Sequence, residues 1–311
     1  MDNQPYISII SPIYRANEII FELVRRIEEN IVKTTPNYEI ILIDDGSPDS
    51  SWESMVKVSE KNKNIKLIKL SRNFGQHNAI CAGMEAARGD YAILMDCDLQ
   101  HDPKYFVQLY EQIKNGYEIV YTKTISREHS MLKNVTAKFY YRFVKLISDF
   151  DMDPNIGSYS MISRKAIEAF NNYNDYRKAY LWALKWTGFE TKVLEIEHQK
   201  RFAGKSSYNL KKLIIHALEV TVANSNKLLY LSVYIGIGTS LLSFLGILFI
   251  AIRYLFYGGL EGWSSIMLSI MFFSGLILTS IGISSVYISK LFEQTKNRPR
   301  YLVQQKINFN D

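Results

Sequence analysis

Two aspartates one residue apart, in Met95-Asp96-Cys97-Asp98-Leu99-Gln100, are the side chains of this chain best placed to do chemistry. Carboxylates that close repel one another unless protons or a cation compensate. Their hard oxygens suit Mg2+ or Mn2+, which bind through one or two carboxylates together with substrate phosphates. A second acidic pair opens the run Asp44-Asp45-Gly46-Ser47-Pro48-Asp49. Taken alone, such a run is also an ordinary turn. Its position, like that of Asp96 and Asp98, directly after a short apolar run, argues for more than a turn.

Four such runs, at residues 6–10, 38–43, 65–70 and 91–95, are β-rich and end in polar residues. Segments of helical spacing at 18–31, 51–61 and 78–87 separate them. This alternation predicts an α/β domain of mostly parallel strands with helices on both faces. In that architecture ligands bind beyond the carboxyl ends of the strands. Residues 11–18, 44–49 and 96–100 all fall there.

Hydrophobic residues make up 47% of the 311 and charged ones 22%, a composition that builds a packed core and excludes low-complexity disorder. The net charge of +6 suits nucleic acid, a membrane surface or an anionic substrate. Its distribution chooses among these. Residues 228–252 and 262–289 carry no charge, and each stretch as a helix is long enough to cross a hydrocarbon layer of about 30 Å. Lys200, Arg201, Lys205, Lys211, Lys212 and Lys227 precede the first; Lys290, Lys296, Arg298, Arg300 and Lys306 follow the second. The positive-inside rule then predicts a hairpin of two spans, about 228–253 and 262–289, with both termini cytoplasmic. Trp263, Tyr254 and Tyr257 suit an interfacial belt.

Four segments result: a cytoplasmic catalytic domain over 1–208, an amphipathic juxtamembrane helix over 209–227, the hairpin over 228–290, and a basic cytoplasmic tail over 291–311. Small residues in the spans (Gly236, Gly238, Gly275, Ser280, Gly282) permit the close helix contacts of a homo-oligomer. A nucleic-acid partner is excluded, because it explains neither the hairpin nor the acidic loops. Cys81 and Cys97 lack metal or redox spacing and read as reduced thiols. No basic stretch followed by an apolar run marks a cleavable signal at the N-terminus.

Together these segments resemble the family 2 glycosyltransferases of the GT-A fold, a Rossmann-like, mostly parallel sheet. The likeness is nearest to the polyprenyl-phosphate branch that includes dolichol-phosphate mannose synthase and the bactoprenol glucosyltransferases. It is carried by Pro12-x-Tyr14 with Glu18, Ile43-Asp44-Asp45-Gly46-Ser47, and Asn73-Phe74-Gly75-Gln76-His77-Asn78-Ala79 with Gly83. It continues through Gly89-Asp90-Tyr91, Met95 to Gln100, Asp102-Pro103 and Arg201-x-x-Gly204-x-Ser206-x-Tyr208 into the hairpin. The resemblance implies that Pro12, Tyr14, Glu18, Asp44, Asp45 and Gln76 bind the nucleotide-sugar, with UDP-hexose the expected donor. It implies that Asp96 and Asp98, with Gln100 nearby, hold Mg2+ or Mn2+ on the donor diphosphate. Arg201 and Lys205, and more loosely Lys123, Arg127 and Lys133, are implied to neutralise a lipid phosphate. The expected acceptor is undecaprenyl phosphate at the bilayer of a bacterial inner membrane, and the expected outcome is inversion.

The chain departs from the family at Asn155-Ile156-Gly157-Ser158-Tyr159, where Ser158 stands at a position commonly acidic in relatives. A phosphate monoester has a second pKa near 6, so it reaches neutral pH largely ionised and needs little help from a base. An alcohol acceptor would need one. The expectation is therefore that no carboxylate base operates and that Ser158→Ala keeps most of the activity, with Asp153 the alternative base. Three rivals remain: a polymer synthase, a transferase acting on another lipid acceptor, and a non-catalytic membrane scaffold with a degenerate transferase domain. The first lacks its Gln-x-x-Arg-Trp motif, the second lacks a base at Ser158, and the third predicts damaged strand-end motifs that are intact here.

Overall fold

A computed structural model describes residues 6–125, 153, 156–175, 178–197, 227–257 and 262–309. Arg127, Lys133, Arg201, Lys205 and the segment 209–226 lie outside the described residues. The chain forms two compact units, one of residues 1–129, 152–206 and 298–311 and the other of 130–151 and 207–297.

The first unit is built on strands β1 (Ile7–Ile13), β2 (Tyr38–Asp44), β3 (Ile65–Leu70), β4 (Tyr91–Leu94), β5 (Ile119–Ile125), β6 (Ile156–Ser163), β7 (Thr191–Glu197) and β8 (Val303–Ile307). Its helices are α1 (Ile20–Ile31), α2 (Ser51–Lys61), α3 (Gln76–Ala86), α4 (Phe106–Lys114), α5 (Arg164–Asn172) and α6 (Tyr180–Trp186). The strands form one sheet in the order β7-β5-β6-β4-β1-β2-β3-β8. Strands β1, β2, β3 and β4 run parallel, as the alternation of strands and helices predicts. Strand β6 enters antiparallel against β4 and β5, while β7 runs parallel to β5.

Strand side chains alternate between faces, so each strand serves two cores. Ile7, Ile9, Ile40 and Leu42 pack with Leu23 and Ile27 of α1, Met55 of α2 and Leu109 of α4. Ile10, Ile41 and Ile43 pack with Ile80 of α3, Phe170 of α5 and Leu184 of α6. Burial on both faces explains why these strands are near-continuous apolar runs.

At the amino ends of the strands, away from the acidic loops, Glu39 is fully buried. Its carboxylate accepts from Ser8 Oγ (2.5 Å), Lys66 Nζ (2.5 Å) and the Arg88 amide (2.7 Å). Burial alone would push the Glu39 carboxyl up; Lys66, Ser8 and the Arg88 amide outweigh it and hold the group below the ordinary glutamate value.

The segment read as a basic tail is divided. Its first residues complete a long helix, and residues 303–307 form β8, antiparallel to β3 with Leu67 opposite Ile307. The Ser71 amide donates to Leu302 O (2.9 Å), and Asn308 Nδ2 donates to Ser59 O (3.1 Å) and Ile65 O (2.8 Å). Tyr301 Oη donates to Glu85 of α3 (2.5 Å), and Arg300 donates to Tyr173 O (3.2 Å). The sequence reading missed this strand because Val303-Gln304-Gln305-Lys306-Ile307 is polar and most of it is exposed. Without it β3 would be an open edge, a template for pairing with another chain. A chain ending at residue 297 is expected to lose the monodisperse peak of the full-length protein on size-exclusion chromatography in detergent. A monodisperse truncated protein would show the strand to be dispensable.

The second unit contains α7 (Lys227–Tyr257) and α8 (Trp263–Thr295), 31 and 33 residues long. Both are long and apolar enough to cross a membrane. Leu242, Phe249, Leu255, Leu278 and Ile288 are exposed along them, which is not the packing of a soluble core. They extend the predicted spans at 228–253 and 262–289 by a few residues.

Candidate active site

Strand β1 lies between β2 and β4, so the chain winds outward from it in both directions. That arrangement leaves a crevice at the carboxyl ends of β1 and β4. A cleft of about 350 Å3 opens there. Pro12, Ile13 and Tyr14 line it from the end of β1, Asp45 from just past β2, Asn73 and Gly75 from the β3–α3 loop with Gln76 at the start of α3, and Asp96, Cys97 and Asp98 from the loop after β4. Six residues expected from sequence thus converge: Pro12, Tyr14, Asp45, Gln76, Asp96 and Asp98. Asp44 is buried beside them, while Glu18 is exposed ahead of α1. Neither Asp44, Glu18 nor Gln100 is among the residues lining the cleft.

The loops are held by short-range fits. Gly46 has φ +65, and a Cβ there would lie 2.4 Å from the Arg72 carbonyl carbon and 2.6 Å from the Asn73 nitrogen. The β2 and β3 loops can touch only because this residue is glycine. Asp45 accepts the Phe74 amide on Oδ1 (2.7 Å) and the Gly75 amide on Oδ2 (2.9 Å). Its carboxylate therefore shapes the cleft wall, a use the sequence reading did not foresee. Asp44 Oδ1 accepts the Ser47 amide (3.0 Å), whereas its Oδ2 has no hydrogen-bond partner among the described residues. Gly46→Ala is expected to cost about 1–3 kcal/mol through combined strain and overpacking. A thermal melt checks the cost, and UDP binding checks whether the 72–75 loop has moved.

Asp96 is held on both of its oxygens. Gln76 Nε2 donates to its Oδ1 (2.7 Å), and Ser158 Oγ donates to its Oδ2 (2.9 Å). His101 Nδ1 is 3.9 Å from the same Oδ2, its ring stacked on Tyr159 at 5.0 Å. Burial pushes the Asp96 carboxyl above its ordinary range and the charge of Asp98 adds to this; His101, Ser158 and Gln76 oppose it. Burial likewise raises Asp44 and Asp45, and pushes the Cys97 thiol up to about 12. Asp98 Oδ1 accepts the Gln100 amide (3.1 Å), which sets Gln100 next to the pair.

Such a concentration of destabilised carboxylates favours a hard divalent cation. Among the described residues no three Asp, Glu, His or Cys side chains form a ligand cluster. As a pair of hard carboxylates, Asp96 and Asp98 fit an ion that draws its remaining ligands from substrate phosphates, the usual habit of Mg2+.

Lys123 lies on β5, its Nζ 2.7 Å from Asp153. His101 is the neighbour of Asp96 that sequence reasoning missed, and Ser158, singled out there only for the absence of a base, meets the same carboxylate. The signal for Ser158 is the antiparallel β4–β6 register, which pairs Leu94 with Ser160. Continued two residues, it sets Ser158 opposite Asp96.

Residues 8–170 match the family described as Glycosyl transferase family 2. Over 300 residues the chain is 32% identical to the uncharacterized glycosyltransferase YkcC of Bacillus subtilis (strain 168), covering 96% of this chain and 93% of that one. Over 305 residues it is 30% identical to the bactoprenol glucosyl transferase of Shigella phage SfX, covering 96% and 99%. The fold is similar to that of glucosyl-3-phosphoglycerate synthase from Mycobacterium tuberculosis, crystallised with Mn2+ and UDP-glucose. There the TM-score is 0.51 at 13% identity, covering 70% of this chain and 77% of that one. With its strand-end acids converging on one cleft of a mostly parallel sheet, this chain belongs to glycosyl transferase family 2 and is a glycosyltransferase of the GT-A fold.

Proposed function

We propose that the enzyme moves a hexose from a nucleotide-sugar, UDP-linked, to a polyprenyl phosphate of the undecaprenyl type, with inversion, at the cytoplasmic face of a bacterial inner membrane. The observation that carries this reading is the switch-point cleft, where Asp96 and Asp98 stand beside Asp45 and Gln76. The full-length likeness to a bactoprenol glucosyl transferase supports the acceptor.

In this reading Pro12, Tyr14 and Asp45 bound the nucleoside end, with Glu18 and Asp44 around it, and Gln76, Asp96 and Asp98 bound the diphosphate. A bound Mg2+ or Mn2+ would neutralise charge on the departing diphosphate. An ionised acceptor oxygen attacks the anomeric carbon from the face opposite the leaving group; the new C–O bond forms as the old one breaks, and the diphosphate leaves with the electron pair. The residues at hand agree with an acceptor that arrives ionised. Ser158 gives its hydroxyl proton to Asp96 in a hydrogen bond, and Asp153, the alternative base, is engaged by Lys123. Arg127, Lys133, Arg201 and Lys205 neutralise the lipid phosphate, with Lys123 adding to them only by leaving Asp153.

The hairpin reading draws support from β8. That strand pairs with β3, which supports an even number of membrane crossings between them. Residues 1–208 and the C-terminal strand then share the cytoplasmic side, with 209–227 at the interface and 228–290 in the bilayer.

The deciding experiment incubates the purified full-length protein with Mn2+ or Mg2+, undecaprenyl phosphate and a panel of radiolabelled nucleotide-sugars. One donor giving an EDTA-sensitive, lipid-extractable product is the expected result. Hydrolysis of donors without lipid product would remove the acceptor assignment, and no binding of any donor would favour a non-catalytic scaffold.

A further inference from the structure

We propose that Ser158 is a positioning residue for the metal-binding carboxylate of Asp96, in place of the base that its position suggests; this rests on the metal reading above. The hydroxyl donates to Asp96 Oδ2 at 2.9 Å, and Gln76 donates to Oδ1 at 2.7 Å. A carboxylate bonded once on each oxygen has a set plane. Each oxygen keeps a further lone pair for a cation.

Ser158 is itself fixed from behind. Ser160 Oγ donates to the Ser158 carbonyl (2.8 Å) and shares a hydrogen bond with Tyr180 Oη (2.8 Å). Tyr159 is fully buried, and its Oη donates to Asp102 O (3.1 Å). The ring of His101 stacks on Tyr159, and its Nδ1 lies 3.9 Å from Asp96 Oδ2, so one side of the carboxylate faces a rigid wall. The strand register supplies the same placement independently, since Leu94 opposite Ser160 brings Ser158 across from Asp96. The hydroxyl is thus delivered by strand β6 and a buried aromatic to a carboxylate that stands two residues past the end of β4.

Outer partners of metal ligands typically contribute 10- to 100-fold in metal affinity or activity. A base contributes to turnover at every metal concentration, whereas a positioning hydroxyl acts on metal affinity. The two roles therefore separate in a titration. Mn2+ binding to full-length protein in detergent with UDP present, read by loss of the free Mn2+ EPR signal, is expected to weaken 10- to 100-fold in Ser158→Ala. Ser158→Thr, which keeps the hydroxyl, is expected to bind near wild type. At saturating Mn2+ most of the turnover of Ser158→Ala returns.

An unchanged Mn2+ constant in Ser158→Ala overturns the proposal, as does a turnover loss that saturating Mn2+ does not restore. If Ser158→Ala fails to fold by circular dichroism, Ser158→Cys, nearly isosteric with a weaker donor, is read in the same titration against the same criteria. Wild-type protein that binds no Mn2+ brings down the metal reading itself; wild-type binding with an unaltered variant brings down only the role given to Ser158.

Discussion

Asp98→Asn is expected to lower sugar transfer by about a thousandfold, equivalent to about 4 kcal/mol of transition-state stabilisation. The substitution is nearly isosteric and removes one negative charge from the cleft lined by Asp96, Cys97 and Asp98. The effect should be large because the leaving group of the proposed reaction is a diphosphate, and stabilisation of charge that develops in the transition state is usually the largest catalytic contribution. Stability should not fall. Burial pushes the neighbouring Asp96 carboxyl up and the charge of Asp98 adds to that push, so removing the charge relieves a repulsion. The check is a pair of measurements on one preparation: EDTA-sensitive transfer and a thermal melt in detergent. Full activity in the variant would remove the metal from the mechanism, and an unfolded variant would show Asp98 to be structural.

The largest stability effect is expected at the opposite end of the strands. Glu39→Gln leaves Lys66 facing a neutral amide in a site where the Glu39 side chain is 1% exposed and that of Lys66 12%. Breaking one partner of a buried ion pair costs about 3–5 kcal/mol, mostly because the other charge is left uncompensated. For a domain of this size that is a fall in melting temperature of about 10 °C. The pH dependence has a definite sign. Glu39 is held below its ordinary value in the folded state, so its contribution is complete above about pH 4.3, the unfolded value, and is lost as pH falls through the lowered folded value. Wild-type protein should therefore lose stability on the acid side more steeply than Glu39→Gln. Parallel acid limbs for the two proteins would refute the assignment.

Much of the site was legible because local patterns report on parallel sheets. An apolar run buried on both faces marks a strand, and the residues directly after that run must sit at the sheet's carboxyl edge. Pro12, Asp45, Asp96 and Asp98 could be gathered into one cleft by that rule and Gln76 through the family resemblance, and the structure gathers all five. The rule could not assign each side chain its partner. Asp45 reads as a ligand for substrate, and the structure adds that its two oxygens accept the Phe74 and Gly75 amides.

What the sequence by itself determined is the alternation of strands and helices, the acidic pairs at the strand ends and the two apolar helices, since each depends on residues close together in the chain. What only the tertiary structure decided is pairing between distant segments. Strand β8 joins β3 across more than two hundred residues, through backbone pairing that most side chains permit, so its polar sequence carried no signal. Ser158 meets Asp96 because β6 runs antiparallel to β4 in one register, and a shift of one residue would have turned its hydroxyl to the other face of the sheet.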